Sequence, residues 1–210
     1  RLLFSLPLAG CGFKKVYFDP SLNRPVAMYV PAEDMVVPYG ATDLQSCPRY
    51  THVMKKFKND VRKLQVSGFY RDINLPEPTP EQSDIQKSKD ELTGEDQLVN
   101  DNRHTLLEFH VDYDLPEFED EEDGEPTGIA LPYVITLDKQ SGEVLSIYRN
   151  WRQDDDRKLK RLHFVPYDYI PGFGFYSFGL IHLIGGIAKS ATSILRQLVD
   201  AGTLSNLPAG

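Results

Sequence analysis

The chain has 210 residues, enough for one or two domains with a buried core. Hydrophobic residues make up 40% and charged residues 26%, the balance of a soluble globular protein. The formal net charge of -8 argues against a free-standing duplex-binding module, whose affinity rests on Lys and Arg contacts to phosphate, but not against a chain lining a passage through which nucleic acid must slide without sticking.

The chain opens on Arg1, and LLFSLPLAG follows. This run has the look of a signal peptide, but it is short, carries Pro7 and continues directly into the strand pattern GFKKVYF. Both ends read as cut, so the expectation is a middle piece of a longer protein. Residues 12–18 and 26–31 bracket DPSLNRP and predict a β-hairpin with a loop over 19–25. DMVVPY (34–39) adds a short strand, and Pro38 puts it at a sheet edge. Thr51–Lys56 predicts a strand leading into a helix over 59–67 that Gly68 ends.

Lys55, Lys56, Lys58, Arg62 and Lys63 form a basic cluster on this strand and helix. It reads either as a solvated face or as a contact to acidic protein or phosphate. From Asn74 to Asn102 the sequence turns polar. Thr79, Pro80 and Gln82 make a capping-box start for a helix over 80–93 that Gly94 ends, a spacer between two β-rich parts.

Residues 104–113 alternate as a strand. Nine acidic residues then fall between Asp112 and Glu125. Their spacing does not match an EF-hand, and prolines interrupt them, so an exposed acidic hairpin tip or loop is expected. LPYVITLDKQSGEVLSIYRNW (131–151) is the clearest hairpin, with Gly142 placed for a positive φ. Residues 160–170 predict one more strand.

Recognisable catalytic or metal chemistry does not emerge. Cys11 and Cys47 lie in no CxxC or CxxxxH pattern, so neither a disulfide framework nor a zinc site is indicated, and intracellular assembly is expected. His104 and His110 share a strand face but stand about 20 Å apart, too far for one metal. There is no GxSxG elbow and no Walker A loop, and Gly172, Gly174 and Gly179 lack dinucleotide spacing. No enzyme activity and no cofactor are expected. The apolar run at 173–188 is too short for a bilayer, since Lys189 and Arg196 follow in the same periodic segment.

That segment reads instead as a helix capped by Ser177 and stopped at Gly202. Leu180, Ile184, Ile187, Ala191, Ile194 and Leu198 recur at alternating four and three spacing, widened by Ile181, Ala188, Leu195 and Val199. The opposite face carries His182, Lys189, Ser193, Arg196 and Asp200. Gly185 and Gly186 cost roughly 1 kcal/mol each inside a helix, so a kink or a closely approaching neighbour is expected there.

The runs LPLAGCGFKKVYFDP, RPVAMYVPAEDMVVPYGATDL, PRYTHVMKKFKNDVRKLQVSGFYRD and, most specifically, GFGFYSFGLIHLIGGIAKSATSILRQLVDAGTLSNLPAG resemble the portal protein, or head-to-tail connector, of podovirus-type tailed bacteriophages. The resemblance covers most of the chain apart from residues 74–102 and the acidic loop. It implies an α+β portal fold fragment, with β-rich wing and clip hairpins and a long stem or channel-side helix. Residues 1–72 would be wing-like, 73–102 a polar spacer with one helix, 103–170 a hairpin region of wing and clip, and 171–210 the long helix toward the channel and tunnel loop.

The implied function is a ring, usually of twelve copies, at one capsid vertex, through which viral DNA is packaged and ejected. The implied partners are further copies of the chain, terminase, tail adaptor proteins, the major capsid protein and transient, non-specific double-stranded DNA, with no membrane. The implied location is the virion, after assembly in the host cytoplasm. Lys189, Arg196, His182 and Ser193 are then candidates for the DNA channel or a subunit contact. The alternative is another virion structural or assembly module without a DNA channel.

Overall fold

A computed structural model describes residues 1–19, 23–79, 87, 91, 94, 102–122 and 124–205. The fold is mixed α+β, with two antiparallel sheets, a two-stranded acidic ribbon and three helices among the described residues. The chain divides into two compact units, Arg1–Glu33 with His163–Gly210, and Asp34–Leu162.

The first unit is built on β1 (Cys11–Asp19), which pairs on one side with β2 (Arg24–Pro31) and on the other with β10 (Phe164–Asp168). Pairing in the hairpin runs from Gly12 opposite Pro31 to Asp19 opposite Arg24, so the loop is shorter than the predicted 19–25. β10 is shorter than the predicted 160–170. It lies antiparallel to β1, with Cys11 opposite Asp168 and Lys15 opposite Phe164.

This pairing brings segments far apart in sequence into one unit. The unit boundaries fall after Glu33 and Leu162. Phe13, Val30 and Phe164 are buried here, and Phe13 stacks on Phe175 at 5.8 Å between ring centroids.

LLFSLPLA, expected to run on into a strand, forms helix α1 (Leu2–Ala9). The Phe4 and Ser5 N–H groups donate to the Arg1 carbonyl. Pro7 lies inside this helix, where it removes the backbone donor that would bond the Leu3 carbonyl. Gly10, at φ +96°, ends α1, its N–H donating to the Leu6 carbonyl at 2.9 Å.

The second unit holds a five-stranded antiparallel sheet. Its order is β3 (Met35–Val36), β4 (Arg49–Phe57), β5 (Arg103–Tyr113), β8 (Leu131–Asp138) and β9 (Val144–Arg149). The strand predicted over 34–39 shrinks to two residues and sits at the edge, where Pro38 argued for it. Helix α2 (Lys58–Val66) follows β4 directly, and Gly68 beyond it takes φ +74°. Gly142 takes φ +72° in the β8–β9 turn, as its place in KQSG required.

A bulge in β9 sets Thr136 opposite Ser146 but Leu137 opposite Val144. Leu145, the extra residue, is buried in the cluster of Val61, Tyr70 and Leu106, against which Met54, Leu64, Ile73 and Leu75 pack. The acidic run ends in the ribbon of β6 (Glu121–Glu122) and β7 (Glu125–Pro126), turned by Gly124 at φ +84°. Its base is held at Asp120, which accepts from Lys158 and from the Thr127 hydroxyl. Both bonds hold the Asp120 carboxyl below the usual carboxylate range.

The helix read over 80–93 lies outside the described residues as an element. The segment leading to it is tethered by Gln140, whose Oε1 accepts from the Thr79 N–H and whose Nε2 donates to the Thr79 hydroxyl and the Glu77 carbonyl.

Candidate functional site

Three groups of side chains could carry function: the histidines, the basic cluster and the long C-terminal helix. The histidines of β4 and β5 belong to the sheet. His104, Leu106, Glu108 and His110 alternate onto the buried face of β5, which confirms the shared face of His104 and His110. Each is matched by a carboxylate. His110 Nε2 lies 2.9 Å from Glu108 Oε1, His52 Nδ1 lies 3.9 Å from the same oxygen, and His104 Nδ1 lies 3.8 Å from Asp138 Oδ1. Tyr50 stacks on His110 with ring centroids 4.7 Å apart.

These groups are buried in the sheet, and of the three contacts only His110 with Glu108 is at hydrogen-bond distance. No group of three or more His, Cys, Asp or Glu among the described residues is arranged to hold a metal ion. Both cysteines are free and buried, and burial pushes the Cys11 thiol above its ordinary range, which keeps it protonated.

The basic cluster divides between β4, which carries Lys55 and Lys56, and α2, which carries Lys58, Arg62 and Lys63. On α2 each cation meets a carboxylate: Lys58 pairs with Glu77, Arg62 with Asp72, and Lys63 with Asp60 at 3.7 Å. The Lys58 pairing also holds the Glu77 carboxyl below its usual range. Lys58 and Arg62 border an open cleft with Asn59, Gln65, Asn74 and His104. A patch whose α2 charges are matched locally projects little net field toward phosphate, and exposed pairs of this kind contribute little to stability. The geometry favours the solvated-face reading.

The long helix is α3 (Leu180–Ser205), 26 residues and roughly 39 Å at 1.5 Å per residue. Its start differs from the sequence reading. Ser177 does not cap it, because its hydroxyl donates to Asp168 Oδ1 at 2.7 Å. The cap is reciprocal and lies two residues on. The Gly179 N–H donates to His182 Nδ1 at 3.0 Å, and the His182 N–H donates to the Gly179 carbonyl at 3.0 Å. Gly202 does not stop the helix, which continues through it to Ser205.

The glycines before and within α3 do different work. A Cβ on Gly179 would lie 2.3 Å from the Leu8 carbonyl oxygen and 2.6 Å from the Gly10 nitrogen. A Cβ on Gly10 would lie 2.3 Å from the Ser177 carbonyl oxygen. The end of α1 and the start of α3 therefore cross backbone to backbone, with no room for a side chain on either. The pairing was invisible in the sequence, although a glycine at each of the two junctions was its one available signal. Gly172 makes a tight turn against the Tyr176 carbonyl, 2.3 Å from where a Cβ would stand.

Gly185 and Gly186 meet no such neighbour. The nearest atom to a Cβ on Gly185 is Ile181 Cγ2 at 3.9 Å, and nothing lies within 4 Å at Gly186. The expected close approach is therefore not made by any described part of the chain. Gly186→Ala should stabilise α3 by about 1 kcal/mol, the ordinary glycine-to-alanine gain in a helix interior. Thermal unfolding of the purified chain should show a raised midpoint.

The two faces of α3 are distinct. Leu180, Ile181, Leu183, Ile184, Ile187, Ile194, Leu195, Leu198 and Val199 are 37–70% exposed. Such a length of uncovered apolar helix exceeds the patch that an isolated monomer usually shows. His182, Lys189 and Arg196 stand seven residues apart, a spacing that drifts only about 20° per step, so they form one line along the helix. On a wheel of 3.6 residues per turn this line lies opposite the apolar arc. Gly185 and Gly186 flank it, and Ser193 and Asp200 lie beside it. Candidate residues His182, Lys189, Ser193 and Arg196 are thus brought together on one exposed face. The α2 cations belong to the other unit.

No family model matches the chain, and no curated protein sequence matches it. No helix among the described residues is long and apolar enough to cross a membrane.

Proposed function

We propose that this chain is part of a portal-type structural protein, a homo-oligomeric ring at one capsid vertex through which double-stranded DNA is packaged and ejected. The observation that carries the reading is α3, which leaves an apolar arc uncovered along its length and sets a basic line on the opposite side. An uncovered arc of this size calls for protein on that side, and ring neighbours supply it without any further component.

The basic line then faces away from protein, toward the lumen. The likeness of residues 171–210 to the channel-approaching segment of portal proteins supports the same orientation. A net charge of -8 with sparse cations on α3 suits a conduit, because a wall dense in Lys and Arg would hold phosphate and stall movement. Terminase, tail adaptors and the major capsid protein are the partners this reading brings with it.

Negative-stain imaging of the full-length protein tests the reading. Rings with a central hole, about twelve copies around, are the expected particles. A population of monomers or compact dimers would overturn it.

A further inference from the structure

Among the described residues the two main sheets end in four edge strands, β2 and β10 in the first unit and β3 and β9 in the second. In an antiparallel strand the N–H and C=O of one residue face the same side, and successive residues alternate. The bond from the Val16 N–H to the His163 carbonyl, with the register of β1, fixes which residues of β2 and β10 look outward. On β2 they are Pro25, Ala27, Tyr29 and Pro31, and on β10 they are Phe164, Pro166 and Asp168. Prolines thus stand where a further strand would need a donor, which guards both edges against pairing. β3 is two residues long, and the part of β4 beyond it carries Lys55 and Lys56. Lysine is the other common guard of an edge.

β9 has neither proline nor lysine. The Asn150 N–H donates to the Pro132 carbonyl, which by alternation turns Ser146 and Tyr148 toward β8 and leaves Leu145, Ile147 and Arg149 outward. The Leu145 carbonyl is taken by the Arg71 N–H at 2.8 Å. Ile147 and Arg149 meet no backbone partner on that side among the described residues. Beside them lies an open cleft lined by Ile147, Tyr148, Arg149, Trp151 and Gln153. Its aromatic walls are held in place. Tyr148 stacks on Phe69 and its hydroxyl donates to the Phe69 carbonyl at 2.6 Å, while Trp151 sits edge-on to Tyr133. The Arg149 guanidinium lies over the Trp151 ring, 5.7 Å from its centre.

From these observations we infer that the outer edge of β9 docks an extended acidic segment of another protein, which joins the five-stranded sheet as an added strand. In antiparallel pairing one partner residue exchanges both backbone bonds with Ile147, and the residue two before it does so with Arg149. Directly paired residues put their side chains on one face, so an apolar residue belongs opposite Ile147 and a carboxylate opposite Arg149. The occupant is an extended stretch with Asp or Glu two residues before Val or Ile. A second copy of the chain does not fit. A two-fold pairing centred on Ile147 runs onto the occupied Leu145 carbonyl, and one centred on Tyr148 or Arg149 sets two Arg149 side chains within reach of each other. The surface belongs to the second unit alone and does not depend on the ring.

Trp151 is the one tryptophan of the chain, so its fluorescence reports on this cleft. The test titrates the whole chain with the capped synthetic peptide Thr-Val-Thr-Glu-Thr-Val-Thr. A saturable change in Trp151 fluorescence is expected. Lysine in place of the glutamate should weaken binding at least about fivefold, and Arg149→Glu should reverse that preference. N-methylation of the second valine, which removes the donor to the Ile147 carbonyl, should abolish binding. Ile147→Pro should do the same with an unchanged circular dichroism spectrum, since β2 and β10 carry outward prolines already.

No saturable change, equal binding of the lysine peptide, or binding indifferent to N-methylation overturns the inference. So does a dimer of the chain, seen by light scattering, that Ile147→Pro dissolves, because a second copy would then occupy this edge.

Discussion

Gly179→Ala is expected to destabilise the unit built on β1 by about 3 kcal/mol, the upper part of the range for overpacking a closed site. The added methyl would stand 2.3 Å from one backbone oxygen and 2.6 Å from a backbone nitrogen. Neither can swing aside as a flexible side chain would, so α1 and α3 must move apart. That movement disturbs the reciprocal cap between Gly179 and His182 and the Tyr169 N–H bond to the Gly10 carbonyl. Gly10→Ala should be at least as damaging, because it adds the cost of a β-carbon at φ +96° to a contact just as close. Gly174→Ala is the control, with open space around its Cβ. Urea unfolding should separate the first two variants from the third. An unchanged midpoint for Gly179→Ala would show that the two helix ends do not cross as described.

Lys189→Glu with Arg196→Glu is expected to leave the particle assembled and to lower virion yield on the order of tenfold or more, since carboxylates in place of the two cations would repel the phosphates of passing DNA. Each substitution reverses a charge on the same line of α3, and in the proposed ring both would recur in every copy. The line lies opposite the apolar arc, so the arc is not touched and helix content should hold. The readout is a complementation assay of packaged DNA together with imaging of the ring. Normal packaging would make Lys189 and Arg196 ordinary surface residues. Loss of the ring would place them in a subunit contact.

Local pattern was the legible part of the fold. The β1–β2 and β8–β9 hairpins, the β4–α2 junction and the edge place of β3 all follow from alternation, Gly68, Gly142 and Pro38, each acting within a few residues. Pairing over distance was not legible. Nothing in Cys11–Lys15 marks Phe164–Asp168 as its partner, so the unit formed from both ends of the chain could not be read from local pattern.

Helix α1 was hidden because its apolar residues surround the helix instead of lining one face, and Pro7 reads as a breaker. At α3 the apolar period gave the body of the helix, while its ends were set by tertiary facts. Asp168 takes the Ser177 hydroxyl, leaving His182 to cap. Gly202 is carried within the helix despite its propensity cost of about 1 kcal/mol. Of the candidate residues, the line through His182, Lys189 and Arg196 was legible from spacing alone. The carboxylates that match Lys58 and Arg62 were not, because Glu77 and Asp72 reach them from a later segment, whereas Asp60 stands three residues before Lys63 on the same helix.

The proposed ring depends on where the two faces of α3 look. A cryo-EM reconstruction of the protein measures this directly. The predicted result is a closed ring with a lumen wide enough for duplex DNA, His182, Lys189 and Arg196 on its wall, and the Leu180–Leu198 arc covered by protein. A reconstruction with the arc on the lumen wall, or with no lumen, would contradict it.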